Sequence, residues 1–209
     1  RRGFNRTCKN HERILRNYRK QVYRVLYIGI LSMNPIVIVP ARMASTRLPD
    51  KPLADIHGKP MIVHVIDRDA EADVGPVLCA ADEMEIISAV KNAGYKAVIT
   101  DPDHPSGSDR IWEALCAEDP SGSYDVIVNL QGDLPTLDPS LVTAVVAPLS
   151  DLDIDIATLV SEITENNELD NPNVVKCVAA LDDGRAHSRA LYFTRATAPT
   201  GDGPLWHHI

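Results

Sequence analysis

The sequence predicts an α/β protein whose sheet is largely parallel and flanked by helices. From residue 35 onward, apolar runs of strand length alternate with segments whose apolar residues recur at helical spacing. Such alternation is typical of strand–helix–strand units, in which consecutive strands run parallel. The 209 residues, 44% hydrophobic and 24% charged, are enough for one well-buried globular domain.

The first half of the chain predicts three strands and two helices. Pro35–Val39 is an apolar strand rich in β-branched residues. A helix begins at Pro60, because proline fits the first turn of a helix, and its apolar residues keep helical spacing to about Ala70. The elements that follow are a strand at Pro76–Ala80, a helix at Asp82–Ala93 that Gly94 can cap, and a strand at Tyr95–Thr100.

The second half continues the alternation. Ser106 or Ser108 can cap a helix that runs to about Cys116. Tyr124–Leu130 is almost continuously apolar, which indicates a strand buried on both faces. The remaining predicted elements are a helix at Pro139–Leu149 and strands at Ile154–Ile163, Val174–Leu181 and Ala190–Arg195.

Charge is distributed unevenly along the chain, whose formal net charge is −8. Residues 1–34 carry nine Lys/Arg against one acid, whereas the remainder is strongly acidic. We expect residues 1–32 to be a basic extension that is disordered or not native, with Met33 as the natural start; a basic arm that touches RNA or a membrane is the alternative. Residues 33–209 are interpreted as one domain. Its acidic composition argues against nucleic acid as a partner, and no apolar run is long enough to span a membrane.

The stretch IVIVPARMASTRLPDKPL turns from an apolar strand into a cationic segment, residues 40–53, which we call the cationic loop. Three prolines between positions 40 and 52 exclude a continuous helix. Arg42, Arg47 and Lys51 therefore lie on a loop at the carboxyl end of a strand, where open α/β sheets bind ligands. The pattern matches neither a P-loop nor a dinucleotide-binding glycine motif. These cations indicate an anionic ligand such as a nucleoside triphosphate; ordinary solvation of a connecting loop is the alternative.

Two further turns follow predicted strands. Gln131-Gly132-Asp133 comes directly after Tyr124–Leu130, and Gly132 permits a tight turn that aims Asp133 toward the sheet edge. A carboxylate suits Mg²⁺, which needs only one or two of them together with phosphate oxygens; a turn aspartate bonded to its own backbone is the alternative. The Ser/Gly turn at residues 104–110 offers N–H groups to an anion or a base; simple capping of a helix, with Arg110 pairing a carboxylate, is the alternative.

The cationic loop resembles the opening motif of the 3-deoxy-manno-octulosonate (Kdo) cytidylyltransferases, P-A-R-x-x-S-T-R-L-P-x-K-P-L, at every fixed position. The segments GKPMIVHV, HPSGSDR, QGDLP, NPNVVK, ALYFTRA and WHHI are also similar to family motifs. The resemblance implies a Rossmann-like nucleotide-diphospho-sugar transferase fold. It also implies transfer of CMP from CTP to Kdo for lipopolysaccharide biosynthesis, by a Mg²⁺-dependent, cytoplasmic enzyme that is commonly a homodimer.

Roles for individual residues also come from the resemblance. The implied catalytic residues are Arg42, Lys51 and Asp133, and Asp133 is the implied metal ligand. The implied nucleotide-binding residues are Arg42, Ser45, Arg47, Lys51, Ser106, Gly107 and Gln131. The implied acceptor-binding residues are Gln131, Arg195 and His208.

The chain also departs from the family pattern. Leu134 stands where glutamate is commoner, and the family's later V-D-T-P-E-D and S-P-L-E segments do not occur. We therefore expect the C-terminal portion of the fold to be missing. An inactive remnant that at most binds CTP is one alternative. A cytidylyltransferase similar to CMP-sialic acid synthetases is another, although Thr46-Arg47 and Lys51-Pro52 favour Kdo over their P-A-R-x-G-S-K-x-[IL]-P-x-K-N.

Overall fold

The computed structural model describes residues 33–44, 48–180, 187–199, 201 and 203–209. The basic extension, residues 1–32, lies outside these ranges. The chain divides into two compact units, of which the first ends at Thr143 and the second is Ala144–Ile209. The predicted extent of one nucleotidyltransferase domain over residues 33–209 stays a prediction. None of the described helices combines the length and apolar character needed to cross a bilayer.

The first unit is built on a four-stranded parallel sheet with strand order β5-β4-β1-β6. Its elements are β1 (Pro35–Ala41), β2 (Asp55–Ile56), β3 (Lys59–Pro60), α1 (Met61–Glu71), β4 (Val77–Ala81), α2 (Met84–Asn92), β5 (Lys96–Ile99), α3 (Gly107–Glu118), β6 (Val126–Asn129) and α4 (Pro139–Val146), within which the unit boundary falls. The predicted parallel sheet flanked by helices is confirmed here.

Helices cover both faces of this sheet because alternate residues of its central strands point to opposite sides. Val39 and Cys79 pack with the apolar stripes of α1 and α2. Ile38 and Leu78 face the other way and pack with Ile111 and its neighbours on α3. β1 is buried along its length apart from Pro40, so the loop that follows it is held at a fixed edge of the sheet.

A short hairpin precedes α1. His57 and Gly58 connect β2 to β3 with φ values of 52° and 83°, and positive φ at both turn residues is characteristic of a type I′ hairpin. The chain then enters α1 directly after Pro60, and the Met61 amide donates to the Ala54 carbonyl at 2.9 Å. The hairpin was not predicted, because strands of two residues carry no periodic signal.

The prediction that Tyr124–Leu130 is buried on both faces is wrong. The strand is shorter, β6, and of its four residues only Val128 is buried, whereas the Ile127 side chain is 41% exposed. The physical reason is its position at the edge of the sheet, where β1 is its neighbour. An apolar run does not reveal whether a strand will be central or lateral.

The second unit contains an antiparallel sheet with strand order β7-β10-β8-β9. Its elements are a 3-10 turn at Ala147–Ser150, β7 (Val160–Glu162), α5 (Asn166–Leu169), β8 (Lys176–Ala179), β9 (Ala190–Thr194) and β10 (Trp206–His208). Three of these strands fall within predicted ones but are shorter. Residues 154–159 form no strand, and Ile156 is 86% exposed. Neither β10 nor the antiparallel arrangement was predicted.

Candidate active site

The cationic loop leaves the carboxyl end of β1 beside the end of β4. Arg42 is exposed, and the next residue, Met43, donates its amide to Asp82 Oδ1 at 3.2 Å. Asp82 directly follows β4, which pairs with β1. The start of the loop is therefore hydrogen-bonded to the residue that follows the neighbouring strand. The predicted nucleotide-binding residues Ser45 and Arg47 lie outside the described residues.

The loop ends in a 3-10 turn, Lys51–Leu53, entered through Asp50 at φ 55°. Pro52 is buried and anchors this turn, while the amino group of Lys51 reaches Asp133 and lies 2.6 Å from its Oδ2. Two of the three predicted catalytic side chains are thus in contact although they are 82 positions apart in the sequence. Their side chains are 35% and 48% exposed, so the pair itself adds at most about 1 kcal/mol to stability.

The loop after β6 crosses closely over the end of β1. A Cβ atom placed on Gly132 would lie 2.8 Å from the Pro40 carbonyl oxygen, closer than real Cβ atoms come. Glycine therefore allows the approach that sets Asp133 within reach of Lys51. Gln131, on the other side of Gly132, is exposed.

The amino end of α3 meets the same edge. Ser106 caps α3: its Oγ accepts from the Asp109 amide at 3.2 Å and donates to Asp109 Oδ2 at 2.5 Å. A Cβ on Gly107 would contact the Pro40 ring at 3.5 Å. Of the two caps considered for this helix, Ser106 is the one used. The binding of a nucleotide by Ser106 and Gly107 stays a prediction.

Asp82 was not recognised from the sequence as part of this edge, whereas Arg110 was expected, as one alternative, to pair with an unspecified carboxylate. The Arg110 guanidinium is buried, donates to Thr100 Oγ1 at 2.5 Å and lies 3.7 Å from Asp82 Oδ2. An available signal was their position, since Asp82 follows a strand and Arg110 lies in the first turns of a helix at the ligand-binding edge. A carboxylate that directly follows a strand is usually solvated, so Asp82 was not identified as the partner of Arg110.

The predicted acceptor-binding residues outside this edge lie in the second unit. Arg195 is exposed and donates to the Pro172 carbonyl at 2.6 Å. Lys176, the last residue of the N-P-N-x-V-K motif, is fully buried and donates to the Asn171 carbonyl at 2.8 Å. Both cations hold the Asn171–Pro172 turn.

His208 lies in β10 and packs edge-on against Phe193, with ring centroids 4.9 Å apart. Burial, with the neighbouring His207, lowers the pKa of His208. The neutral imidazole is therefore favoured at neutral pH, and it can donate or accept a hydrogen bond. Acceptor binding by Arg195 and His208 stays a prediction.

Asp133 offers hard oxygen ligands on an exposed side chain, which fits a Mg²⁺ ion that keeps most of its waters and takes phosphate oxygens. Within the described ranges, no group of three or more His, Cys, Asp or Glu could hold a metal by protein ligands alone. The donor set therefore suits a metal that arrives with a polyphosphate rather than a site closed by protein.

Known proteins that are similar to this chain include cytidylyltransferases. A family model described as cytidylyltransferase matches residues 36–202. The 3-deoxy-manno-octulosonate cytidylyltransferase of Rhodospirillum centenum is 60% identical over 84% of this chain and 68% of the relative. That of Rhodospirillum rubrum is 61% identical over 87% of this chain and 72% of the relative.

A solved structure of CMP:2-keto-3-deoxy-manno-octonic acid synthetase complexed with CTP is 35% identical to this chain, with a TM-score of 0.74. The match covers 84% of this chain and 71% of that structure. At this similarity the likeness extends beyond the general α/β fold.

Proposed function

This chain belongs to the 3-deoxy-manno-octulosonate cytidylyltransferase family, and we propose that it transfers CMP from CTP to the anomeric hydroxyl of Kdo. The observation that carries the proposal is the contact of Lys51 with Asp133, 2.6 Å apart on the loops that follow two neighbouring parallel strands. One cation and one metal-binding carboxylate at the ligand-binding edge are what a nucleoside triphosphate and its metal require.

In the proposed reaction the Kdo hydroxyl oxygen attacks the α-phosphorus of CTP. A new phosphorus–oxygen bond forms, the bond to the β-phosphate oxygen breaks, pyrophosphate leaves and the hydroxyl proton is lost to solvent. Phosphoryl transfer of this kind depends mainly on positioning and charge neutralisation. We assign charge neutralisation on the triphosphate and the leaving pyrophosphate to Arg42, Arg47 and Lys51.

Asp133 would hold Mg²⁺, which when bound neutralises phosphate charge and acidifies a coordinated hydroxyl. Lys51 pairs with Asp133 through exposed atoms, and such a pair separates at little cost. A triphosphate carries more negative charge than the Asp133 carboxylate, so Lys51 would leave Asp133 for the phosphates when CTP binds. Asp133 would then be available for Mg²⁺.

Recognition of the acceptor is proposed for Gln131, Arg195 and His208. Arg195 uses one N–H on the Pro172 carbonyl, and a guanidinium has further donors suited to the carboxylate of an acidic sugar. Ser45, Ser106 and Gly107 are proposed to contact the nucleotide. A cytoplasmic location, a role in lipopolysaccharide biosynthesis and a homodimeric state are proposed on the family resemblance.

The test is pyrophosphate release by the purified 209-residue chain supplied with CTP, Kdo and Mg²⁺. Asp133→Asn is expected to lower the rate by at least about 100-fold. Asp138→Asn is the matched control, because Asp138 is an exposed carboxylate in the same loop and, within the described part of the chain, its side chain bonds only the backbone and hydroxyl of Ser140. Turnover by Asp133→Asn close to that of the parent chain would contradict the assignment.

The same preparation separates the alternatives. Binding of CTP, measured by calorimetry, without pyrophosphate release identifies a non-catalytic CTP-binding protein. Release that requires N-acetylneuraminate instead of Kdo identifies a sialic acid cytidylyltransferase. Absence of CTP binding refutes the proposed function.

A further inference from the structure

The backbone of the cationic loop is tied to a buried charge that the proposed reaction does not use. The Met43 amide donates to Asp82 Oδ1 at 3.2 Å, and Met43 directly follows Arg42. The direction in which Arg42 leaves the end of β1 therefore depends on a bond between the chain and a single carboxylate oxygen.

The Asp82 carboxylate also lies beside a buried cation. Its side chain is 7% exposed, and its second oxygen, Oδ2, lies 3.7 Å from the guanidinium of Arg110, whose side chain is 4% exposed. Arg110 is oriented in turn by Thr100, whose hydroxyl accepts its N–H at 2.5 Å and donates to the Ala81 carbonyl at 3.0 Å. The chain of contacts runs from α3 through the ends of β5 and β4 to the cationic loop.

We propose that Asp82 and Arg110 are positioning residues for the phosphate-binding cations: Arg110 fixes the Asp82 carboxylate, and Asp82 fixes the loop backbone beside Arg42. Neither residue needs to touch the nucleotide in this role. The inference rests on the proposed function, because it assigns a purpose to the position of Arg42 only if Arg42 binds the phosphates of CTP.

The geometry favours this role over simple stabilisation of the fold. A buried ion pair is poor evidence for added stability, because desolvation of the charges offsets their attraction. Such a pair does fix geometry, since a buried carboxylate cannot leave its cation without large cost. The Asp82 carboxylate, held in this way, accepts a hydrogen bond from a loop amide rather than from another core side chain.

The first test is a double-mutant cycle on CTP affinity, measured by calorimetry on the 209-residue chain. Asp82→Ala and Arg42→Ala are each expected to weaken binding by roughly tenfold or more. If Asp82 acts through Arg42, the double variant binds CTP no more than about twofold more weakly than Arg42→Ala alone. Losses that multiply overturn the proposal.

A second readout does not need CTP. Hydrogen exchange at the Met43 amide is expected to accelerate at least about tenfold in Asp82→Ala. Asp82→Asn keeps a carbonyl oxygen for this amide but loses the charge that pairs with Arg110, so it should restore slow exchange and CTP affinity only in part relative to the alanine variant. Unchanged exchange in Asp82→Ala overturns the proposal even if that variant binds CTP poorly.

Asp67→Ala is the matched control, because Asp67 is also a carboxylate of the first unit with two side-chain donors, Lys59 and Tyr95. It is expected to lower stability while leaving the CTP dissociation constant within about twofold. A parent chain that does not bind CTP overturns the proposed function and this proposal together. CTP binding with independent losses at Asp82 and Arg42 overturns only the positioning role.

Discussion

Replacing Asp69 by alanine is expected to stabilise the first unit, and to do so more strongly at alkaline pH. Asp69 lies on the buried face of α1 and is 0% exposed. Neither of its carboxylate oxygens has a hydrogen-bond partner among the residues that the structure describes. Burial raises the pKa of this carboxyl from its ordinary value of 3.8 to about 7.

The magnitude follows from that pKa. Each pKa unit corresponds to about 1.4 kcal/mol, so the ionised side chain costs the folded state on the order of 4 kcal/mol above pH 7. Between about pH 4 and pH 7 the folded state binds a proton that the unfolded state does not, so stability falls as pH rises through this window. Alanine removes the charge at a packing cost of roughly 1 kcal/mol. We therefore expect a gain of about 3 kcal/mol at pH 8 and a smaller gain at pH 5.

Urea titrations at the two pH values measure this gain. Trp112 and Trp206 are the two tryptophans of the chain, one in each unit, so a Trp206→Phe background makes fluorescence report on the first unit. Asp67→Ala, two positions earlier on α1, is the control, and its effect on stability is expected to have the opposite sign. Burial alone would raise the pKa of Asp67, but hydrogen bonds from Lys59 and Tyr95 leave it lowered, so its stabilising effect is lost as pH falls.

A gain in Asp69→Ala that does not change with pH would refute the pKa argument. A loss of stability at pH 8 would refute the claim that this carboxylate is unpaired. Asp69→Asn separates charge from polarity, because the amide cannot ionise but still lacks partners; it should recover the pH-dependent part of the gain and no more.

Further predictions concern the loops at the sheet edge. Gly132→Ala is expected to destabilise the first unit by at least about 1 kcal/mol, since its Cβ would lie 2.8 Å from the Pro40 carbonyl oxygen, and to weaken CTP binding. Gly107→Ala, with its nearest contact at 3.5 Å, should change stability by less than about 0.5 kcal/mol in the same urea titration. Lys51→Met is expected to change the free energy of unfolding by less than about 1 kcal/mol but to weaken CTP binding at least about tenfold in calorimetry. Small effects on both stability and CTP affinity would show that the Lys51–Asp133 contact has no part in binding.

The fold of the first unit was predictable where one element carries its own signal. The apolar run of β1 and the helical spacing of α1 each report burial on known faces. The sequence could not reveal properties that depend on neighbours, such as the edge position of β6 or the antiparallel pairing of β10. Those are decided by which strands meet, and no single segment contains that information.

The candidate site shows the same division. Lys51 and Asp133 were predictable as a pair because both follow strands, and the carboxyl ends of parallel strands share an edge. Their actual contact needed β6 to lie directly beside β1. Asp82 was missed because an aspartate at the start of a helix is commonly a solvated cap, and only the position of Arg110 over the strand ends makes it a buried partner.

The two ion pairs at this edge differ in exposure, and the difference assigns them opposite physical tasks. Lys51 and Asp133 are 35% and 48% exposed, so water compensates each charge when they separate, at a cost of about 1 kcal/mol or less. Asp82 and Arg110 are 7% and 4% exposed, so separating them would leave uncompensated charge in the interior at a cost of several kcal/mol. A site in which a cation must exchange a carboxylate for phosphate needs an exposed pair such as Lys51–Asp133 where the ligand binds. It also needs a buried pair such as Asp82–Arg110 to hold the loop, because a loop that moved with its ligand would lose the alignment on which phosphoryl transfer depends.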